Sequence, residues 1–413
     1  MTPDRVVVVG ASIGGVRTAQ ALRAGGFGGD IMIIGAELTE PYDKPPLSKQ
    51  VLAGEQNADD IALLGAAGWA GERLDGRLGS PAVDLDTESK EVLLADGQRI
   101  GYDALVIATG VRARTLTTEA NQLVHTVREL RDATALRQRM LGGGPVVVVG
   151  GGFIGAEVAA SAVALGAQAA IVESLPTPFT RVLGPAVGAL MTELHESFGV
   201  SVLGGAAVAR VEQLTDGTGI VHLADGRRLA AGTVVVGIGC VPNTEWLHSS
   251  GLPLDDGVIT DQHCAVPGAE DVYAIGDVAR WYDVHDGTHR RVEHWTNAVE
   301  QAHLVAHNIL APGDLRPHTK APYFWSDQYG MKIQMAGRIE ADDRVDLLRC
   351  TIPAGDRHVA VYSRHGKFSA AVTFGWPRAI AACRRSWERA ATVDEVHQQI
   401  QGLATKVTAV ETR

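Results

Sequence analysis

The sequence predicts an α/β fold: two similar units, each built on a buried parallel sheet, followed by a smaller α+β unit. Three observations carry this. A run of valines, a glycine-rich turn and a helix-forming stretch occur twice, as RVVVVGASIGG over Arg5–Gly15 and PVVVVGGGFIGAE over Pro145–Glu157. Four consecutive valines suit a strand covered on both faces, as in a parallel sheet. Each motif is followed by a second apolar strand and an acid: Asp30–Ile34 before Glu37, and Gln168–Val172 before Glu173. From about Pro322 the pattern turns strand-rich and then helical over Pro377–Ala390.

The elements follow in order. In the first unit, strand Arg5–Val9 and the glycine turn lead into a helix reaching Ala24, then into strand Asp30–Ile34. The prolines of EPYDKPPLSK exclude a regular helix there. Residues 82–107 read as short strands with a turn at Asp96–Gly97. The second unit opens at about Val111, has two strands around Asp225–Gly226, and closes with VVVGIG at 234–239. DVYAIGDV at 271–278 is a further buried strand ending in Gly-Asp, and a helix follows over Asn297–Leu310. The expected domains are therefore 1–110 with 240–321, then 111–239, then 322–413.

A chain of 413 residues with 46% hydrophobic content has enough apolar material for two or three domains. No apolar run reaches the roughly 18 residues of a membrane span. The first strand begins at about Arg5, too early for a signal peptide to precede it, so a cytoplasmic location without membrane attachment is expected. The net charge of −11 argues against a nucleic-acid partner. Residues 321–413 are the exception, with 13 Lys/Arg against 10 Asp/Glu. Cys240, Cys264, Cys350 and Cys383 are widely spaced, as structural thiols are in a reducing compartment. No metal-ligand spacing is visible, and His289 and His294 read as surface-loop residues.

The chemistry sits at the turns. Gly10, Ser12, Gly14 and Gly15 in the first, and Gly150, Gly152 and Gly155 in the second, permit a tight turn and close approach to a pyrophosphate at a helix N-terminus. Two such turns point to two adenine dinucleotides, and the simplest chemistry for that pair is hydride transfer from a nicotinamide to a flavin. Glu37 and Glu173 stand about 20 residues beyond their turns, the spacing at which an acid meets an adenosine ribose. A carboxylate repels a 2′-phosphate, and Ser174, Leu175 and Pro176 follow Glu173 where an arginine would be needed, so NADH is favoured over NADPH. Asp277, after Gly276, is placed to hold a ribityl hydroxyl of FAD. Gly10–Gly14 also fits G-x-S-x-G, but a hydrolase elbow follows several earlier strands and this one follows the first. The PYDKPPLSKQVLAG stretch contains no cysteine, so electrons are not expected to pass through a disulfide.

The order of motifs (glycine turn, EPYDKPPLSK, VIATG, GGGFIGAE, GIGCVPN, AIGDV, HWTNAVEQA, WSDQ) resembles that of the FAD- and NADH-dependent ferredoxin reductases of bacterial oxygenase systems. These include the reductase components of aromatic-ring dioxygenases and the putidaredoxin-reductase type. The resemblance spans nearly the whole chain; ATG and GD belong to the wider glutathione-reductase-like superfamily, PYDKPPLSK and WSDQ to this subgroup. It implies two Rossmann-like domains, a discontinuous one for FAD and an inserted one for NAD, plus a C-terminal interface domain. It implies that Lys44, Pro46, Lys49, Ala108, Thr109, Gly110 and Trp295 join the FAD site, and that Phe153, Ile154 and Gly239 join the NAD site. Lys49 and Glu157 meet in the family as an ion pair near flavin N5, where the lysine stabilises arriving electron density and the carboxylate offsets its burial. Trp325 matches an aromatic on the redoxin-facing side. The implied partner is a [2Fe–2S] ferredoxin or Rieske-type redoxin, with the reductase a monomer or weak homodimer. Arg378, Arg384, Arg385 and Arg389 are candidates for its docking face. Two positions depart from the family: Ser12 replaces a glycine, and Lys44 replaces an arginine and loses its bidentate fork. A rubredoxin reductase, a direct NADH oxidase and an apoptosis-inducing-factor-like flavoprotein are the alternative readings.

Overall fold

In the computed structural model, which describes residues 3–118, 120 and 122–410, the two valine runs become the middle strands of two five-stranded parallel sheets. The first sheet runs Val272–Ala274, Ala104–Ile107, Arg5–Val9, Asp30–Ile34, Asp75–Arg77. The second runs Ser201–Leu203, Ala169–Val172, Val146–Val149, Thr233–Val236, Val124–His125. The registers bring strand ends into line: Val9 lies opposite Ile34 and Ile107, and Val149 opposite Val172 and Val236. Val6, Val7 and Val8 are wholly buried, as are Val146 and Val148, which is why both runs are unbroken rather than alternating.

The chain divides into two units. The first comprises Met1–Pro45, Asn57–Arg112 and Cys240–Lys320. Helix Ile13–Ala24 packs on helix Trp295–Leu310 over one face of its sheet. Antiparallel strands at Ala82–Asp86, Glu91–Leu94 and Arg99–Gly101 add to the core on the other face.

The second unit comprises Pro46–Gln56, Ala113–Gly239 and Ala321–Arg413. Besides its parallel sheet it holds a six-stranded antiparallel sheet, ordered Tyr323–Gln328, Met331–Gly337, Lys367–Phe374, Gly355–Arg364, Arg344–Ile352, Lys406–Ala409. One face packs against helices Pro377–Glu388 and Val393–Leu403. The other receives Leu183, Val187 and Met191 from helix Thr180–Ser197. Segment 46–56 belongs to this unit because its groups bond there: Arg137 Nη1 donates to the Leu52 carbonyl at 2.9 Å, for instance. Within it the prolines allow one 3₁₀ turn, Pro45–Ser48, before the four-residue helix Gln50–Ala53. Among the described residues no helix is long and apolar enough to cross a membrane.

Candidate functional site

Three turns gather at the carboxyl ends of adjacent strands in the first unit: residues 10–15, Ala108–Gly110 and Gly276–Asp277. The crevice outside such strand ends is where open α/β sheets bind ligands. Gly10 has φ +125°, and a Cβ there would lie 2.1 Å from the Ala108 carbonyl oxygen. A Cβ on Gly15 would lie 1.9 Å from the Gly10 oxygen. Only glycine lets these backbones close up. Ser12 is the N-cap of helix Ile13–Ala24 in an ordinary extended conformation and makes no side-chain cap bond. The departure from glycine therefore costs no strain, and the helix N-terminus is left uncapped for an anion.

Two residues outside the expected set brace these turns. Asn243 Nδ2 donates to the Thr109 carbonyl at 2.9 Å, and Thr109 Oγ1 donates to the Asn243 carbonyl, also at 2.9 Å. Gln301, wholly buried, accepts the Gly276 N–H at 2.7 Å. Both stand in quoted motifs (GIGCVPN and HWTNAVEQA), so the signal was present without a role attached. Arg291 Nη1 reaches the Asp277 carbonyl at 3.3 Å and pairs with Glu293 at 2.6 Å and Asp256 at 3.2 Å. Lys44 Nζ lies 2.9 Å from Glu37 Oε1, and the Tyr42 hydroxyl donates to Glu37 Oε2. Trp295 Nε1 donates to Asp43 Oδ1 at 2.6 Å. Residues 42–44 are thus held to both Glu37 and Trp295.

The second cradle repeats the construction. Gly150 has φ +104°, and its Cβ would lie 2.4 Å from the Gly237 oxygen; that of Gly155 would lie 2.1 Å from the Gly150 oxygen. Gly152 caps helix Phe153–Ala164 without a side chain. Glu173 Oε2 accepts the Gly151 N–H at 2.7 Å, while Oε1 accepts the Leu175 N–H at 2.8 Å. Gly239 accepts the Arg114 N–H at 2.9 Å. The Phe153 ring lies 4.0 Å from Phe324 and 5.0 Å from Phe179, and Ile154 is 44% exposed beside the turn.

On that same helix, Glu157 is 3% exposed and is surrounded by donors. Lys49 Nζ lies 3.2 Å from Oε1, Ser326 Oγ donates to Oε1 at 2.6 Å, and Ser48 Oγ donates to Oε2 at 2.5 Å. Asp327 sits 3.9 Å from Lys49 and 2.7 Å from Lys332. The expected Lys49–Glu157 pair forms. Ser48, Ser326 and Asp327 complete it, and spacing alone could not reveal them. Lys49 and Pro46 lie on the segment that groups with the second unit, while the remaining expected FAD residues lie in the first.

Trp325 lies under Lys332, whose Nζ is 5.6 Å from its ring, and 6.2 Å from the Tyr323 ring. Arg384 lies 5.3 Å over Tyr323, so it is committed inward by cation–π contact. Arg378, Arg385 and Arg389 remain exposed. None of the four cysteines forms a disulfide. Burial pushes the thiols up, to about 12 for Cys240 and Cys383 and about 11 for Cys350. None is a ready thiolate. Among the described residues no three His, Cys, Asp or Glu side chains cluster as a metal site.

Two glycine cradles, each at the carboxyl edge of a parallel sheet, define an oxidoreductase built for two dinucleotides. The chain belongs to the pyridine nucleotide-disulphide oxidoreductase family, which residues 4–302 match, and residues 323–403 match the reductase C-terminal family. Membership implies FAD and NAD(H) as cofactors. The chain is 39% identical over 399 residues to the ferredoxin reductase component of a chlorobenzene dioxygenase from Cupriavidus sp. (strain PS12), covering 94% of this chain and 93% of that protein. It is 34% identical over 350 residues to the putidaredoxin reductase of Pseudomonas putida, covering 83% and 82%. A solved covalent putidaredoxin reductase–putidaredoxin complex matches with a TM-score of 0.90 at 30% identity, over 97% of this chain and 99% of that one.

Proposed function

We propose that the chain is an NADH-dependent, FAD-containing ferredoxin reductase that supplies an oxygenase. The observation carrying this is the pair of cradles on one chain, with no disulfide and no activated thiol to relay electrons. Residues 1–110 and 240–321 form the FAD domain, 111–239 the NAD domain and 322–413 the interface domain. Bound FAD would supply the conversion of one hydride into two single electrons.

The protein holds and orients. The N–H groups opening helix Ile13–Ala24 hold the FAD pyrophosphate, and Asp277 holds a ribityl hydroxyl on a turn fixed by Gln301 and Arg291. The N–H groups opening helix Phe153–Ala164 hold the NADH pyrophosphate. Glu173, locked across the turn by Gly151 and Leu175, accepts from the adenosine ribose. Lys49, offset by Glu157, carries the positive charge the flavin feels. Trp325 stands at the acceptor side. The acceptor is a [2Fe–2S] ferredoxin or Rieske-type redoxin, and the reductase works in the cytoplasm as a monomer or weak homodimer.

The test is NADH-driven bleaching of a [2Fe–2S] ferredoxin by the purified yellow protein, with rubredoxin and dioxygen as competing acceptors. Ferredoxin reduction should be fastest. A colourless protein that takes up no FAD, or equal rates with dioxygen, would overturn the assignment.

A further inference from the structure

Four wholly or almost wholly buried polar side chains of the second unit form one hydrogen-bonded series. Ser48, Glu157, Ser326 and Gln328 are each at most 3% exposed. Ser326 Oγ has one proton, which it gives to Glu157 Oε1 at 2.6 Å; it accepts from Gln328 Nε2 at 3.0 Å. That bond fixes the amide orientation and turns the Gln328 carbonyl oxygen away from Ser326. The donors therefore run in one direction, from Gln328 to Ser326 to Glu157.

We propose that Ser326 and Gln328 are positioning residues that set how much of the Lys49 charge Glu157 neutralises. Lys49 pairs with Glu157 and Asp327, and Asp327 also pairs with Lys332, so the formal charges of these two cations and two carboxylates cancel. The hydrogen bonds to Glu157 therefore decide the local field. Donors aimed at the carboxylate draw its charge away from Lys49, and a donor series aligned head to tail does so more strongly than one bond alone. The series is built into the hairpin Tyr323–Gly337, so the C-terminal segment holds this charge in place as well as carrying Trp325.

The inference rests on the reading of Lys49–Glu157 as the charge pair at the flavin, and the measurement separates the two. Removing the Ser326 hydroxyl leaves Glu157 less compensated, and Lys49 more fully neutralised. The holoenzyme of Ser326→Ala should then show a lower flavin midpoint potential by spectroelectrochemistry. Its NADH-driven flavin reduction should slow about tenfold, the loss of one charge-assisted hydrogen bond. Ser326→Thr, which keeps the hydroxyl, should restore both values. Gln328→Leu should move both in the same direction by less, and serves if Ser326→Ala does not fold. An unchanged potential in Ser326→Ala and Gln328→Leu, with Lys49→Gln lowering it, would overturn this inference alone. An unchanged potential in Lys49→Gln would overturn the reading beneath it.

Discussion

In the first cradle the acid beyond the second strand, Glu37, comes three residues after Ile34, and its carboxylate is taken by Lys44 and Tyr42. In the second, Glu173 follows Val172 directly, and its carboxylate accepts N–H groups from Gly151 and Leu175. The glycines are almost superimposable in kind, with clashing Cβ positions of 2.1 and 1.9 Å in one and 2.4 and 2.1 Å in the other. The backbone device is thus repeated while the acid is wired differently. Glu173 is part of its turn, where the proposed role has it read the nucleotide. Glu37 is shared with a neighbouring loop whose lysine already offsets its charge. A resident cofactor needs retention more than discrimination, whereas an exchanged one must be told from its phosphorylated relative. The two wirings match those two needs.

The sharpest way to break this comparison is to fill each cradle. Gly10→Val and Gly150→Val both place side-chain atoms where carbonyl oxygens stand, at positive φ where a β-branched residue is strained. We expect Gly10→Val to purify without FAD. Gly150→Val should keep its yellow colour and lose NADH-driven flavin reduction by about a hundredfold, the equivalent of roughly 2.7 kcal/mol. Absorbance of the purified proteins and stopped-flow reduction give the two readings. Loss of flavin from Gly150→Val would mean the cradles do not act separately.

The acids give the next largest contrast. NADH should be preferred to NADPH by at least about tenfold in kcat/KM, roughly 1.4 kcal/mol. Glu173→Ala should narrow that ratio, while Glu37→Ala leaves it unchanged and speeds FAD release instead. Because Glu37 and Lys44 are both partly exposed, at 29% and 18%, their mutual coupling in a double-mutant cycle should stay near ~1 kcal/mol. Equal use of both nucleotides by the unaltered protein would contradict the role given to Glu173.

What could be read in the chain follows from the range of the interactions. The strands, the glycine turns and the acids depend on residues within one βαβ unit, and their signals are local and periodic. Helix Thr180–Ser197 escaped because Gly184 and Pro185 interrupt it, Gly184 sitting at φ 75° and ψ 169°; such a pair reads as a break. Helices Leu130–Leu141 and Val393–Leu403 were not anticipated either. Ser48 and Ser326 meet Glu157 across 109 and 169 residues of chain, and a single serine carries no periodic signal to announce it. The grouping of residues 46–56 with the second unit was hidden for the same reason, since it depends on those long-range bonds. Lys49 and Glu157 were found only through the resemblance of PPLSK and GGGFIGAE to the reductase motifs.

The smallest effect concerns neither cradle and tests whether electrons leave by a separate face. Residues 321–413 carry a positive excess in an otherwise acidic chain. Arg378 and Arg385 stand exposed on helix Pro377–Glu388, and Arg389 follows its last residue. Arg384, the fourth member of that cluster, is turned onto Tyr323, whose ring lies 6.2 Å from that of Trp325, so the three exposed arginines are the ones free to meet a partner. Ferredoxins are usually acidic, and charges at the rim of an interface act mainly on association rate and salt dependence. Arg385→Glu should raise the KM for ferredoxin a few-fold at low ionic strength, and the effect should fade as salt screens it within a Debye length of about 10 Å at 0.1 M. NADH-to-ferricyanide turnover should be unchanged, because both cradles remain intact. The double variant Arg385→Glu, Arg389→Glu should roughly double the effect in free-energy terms if both arginines face the same partner. Unaltered ferredoxin kinetics for the double variant at low salt would place docking elsewhere on the protein. Arg290 and Arg291 would be weaker candidates there, since Asp286 already holds the first, and Asp256 and Glu293 the second.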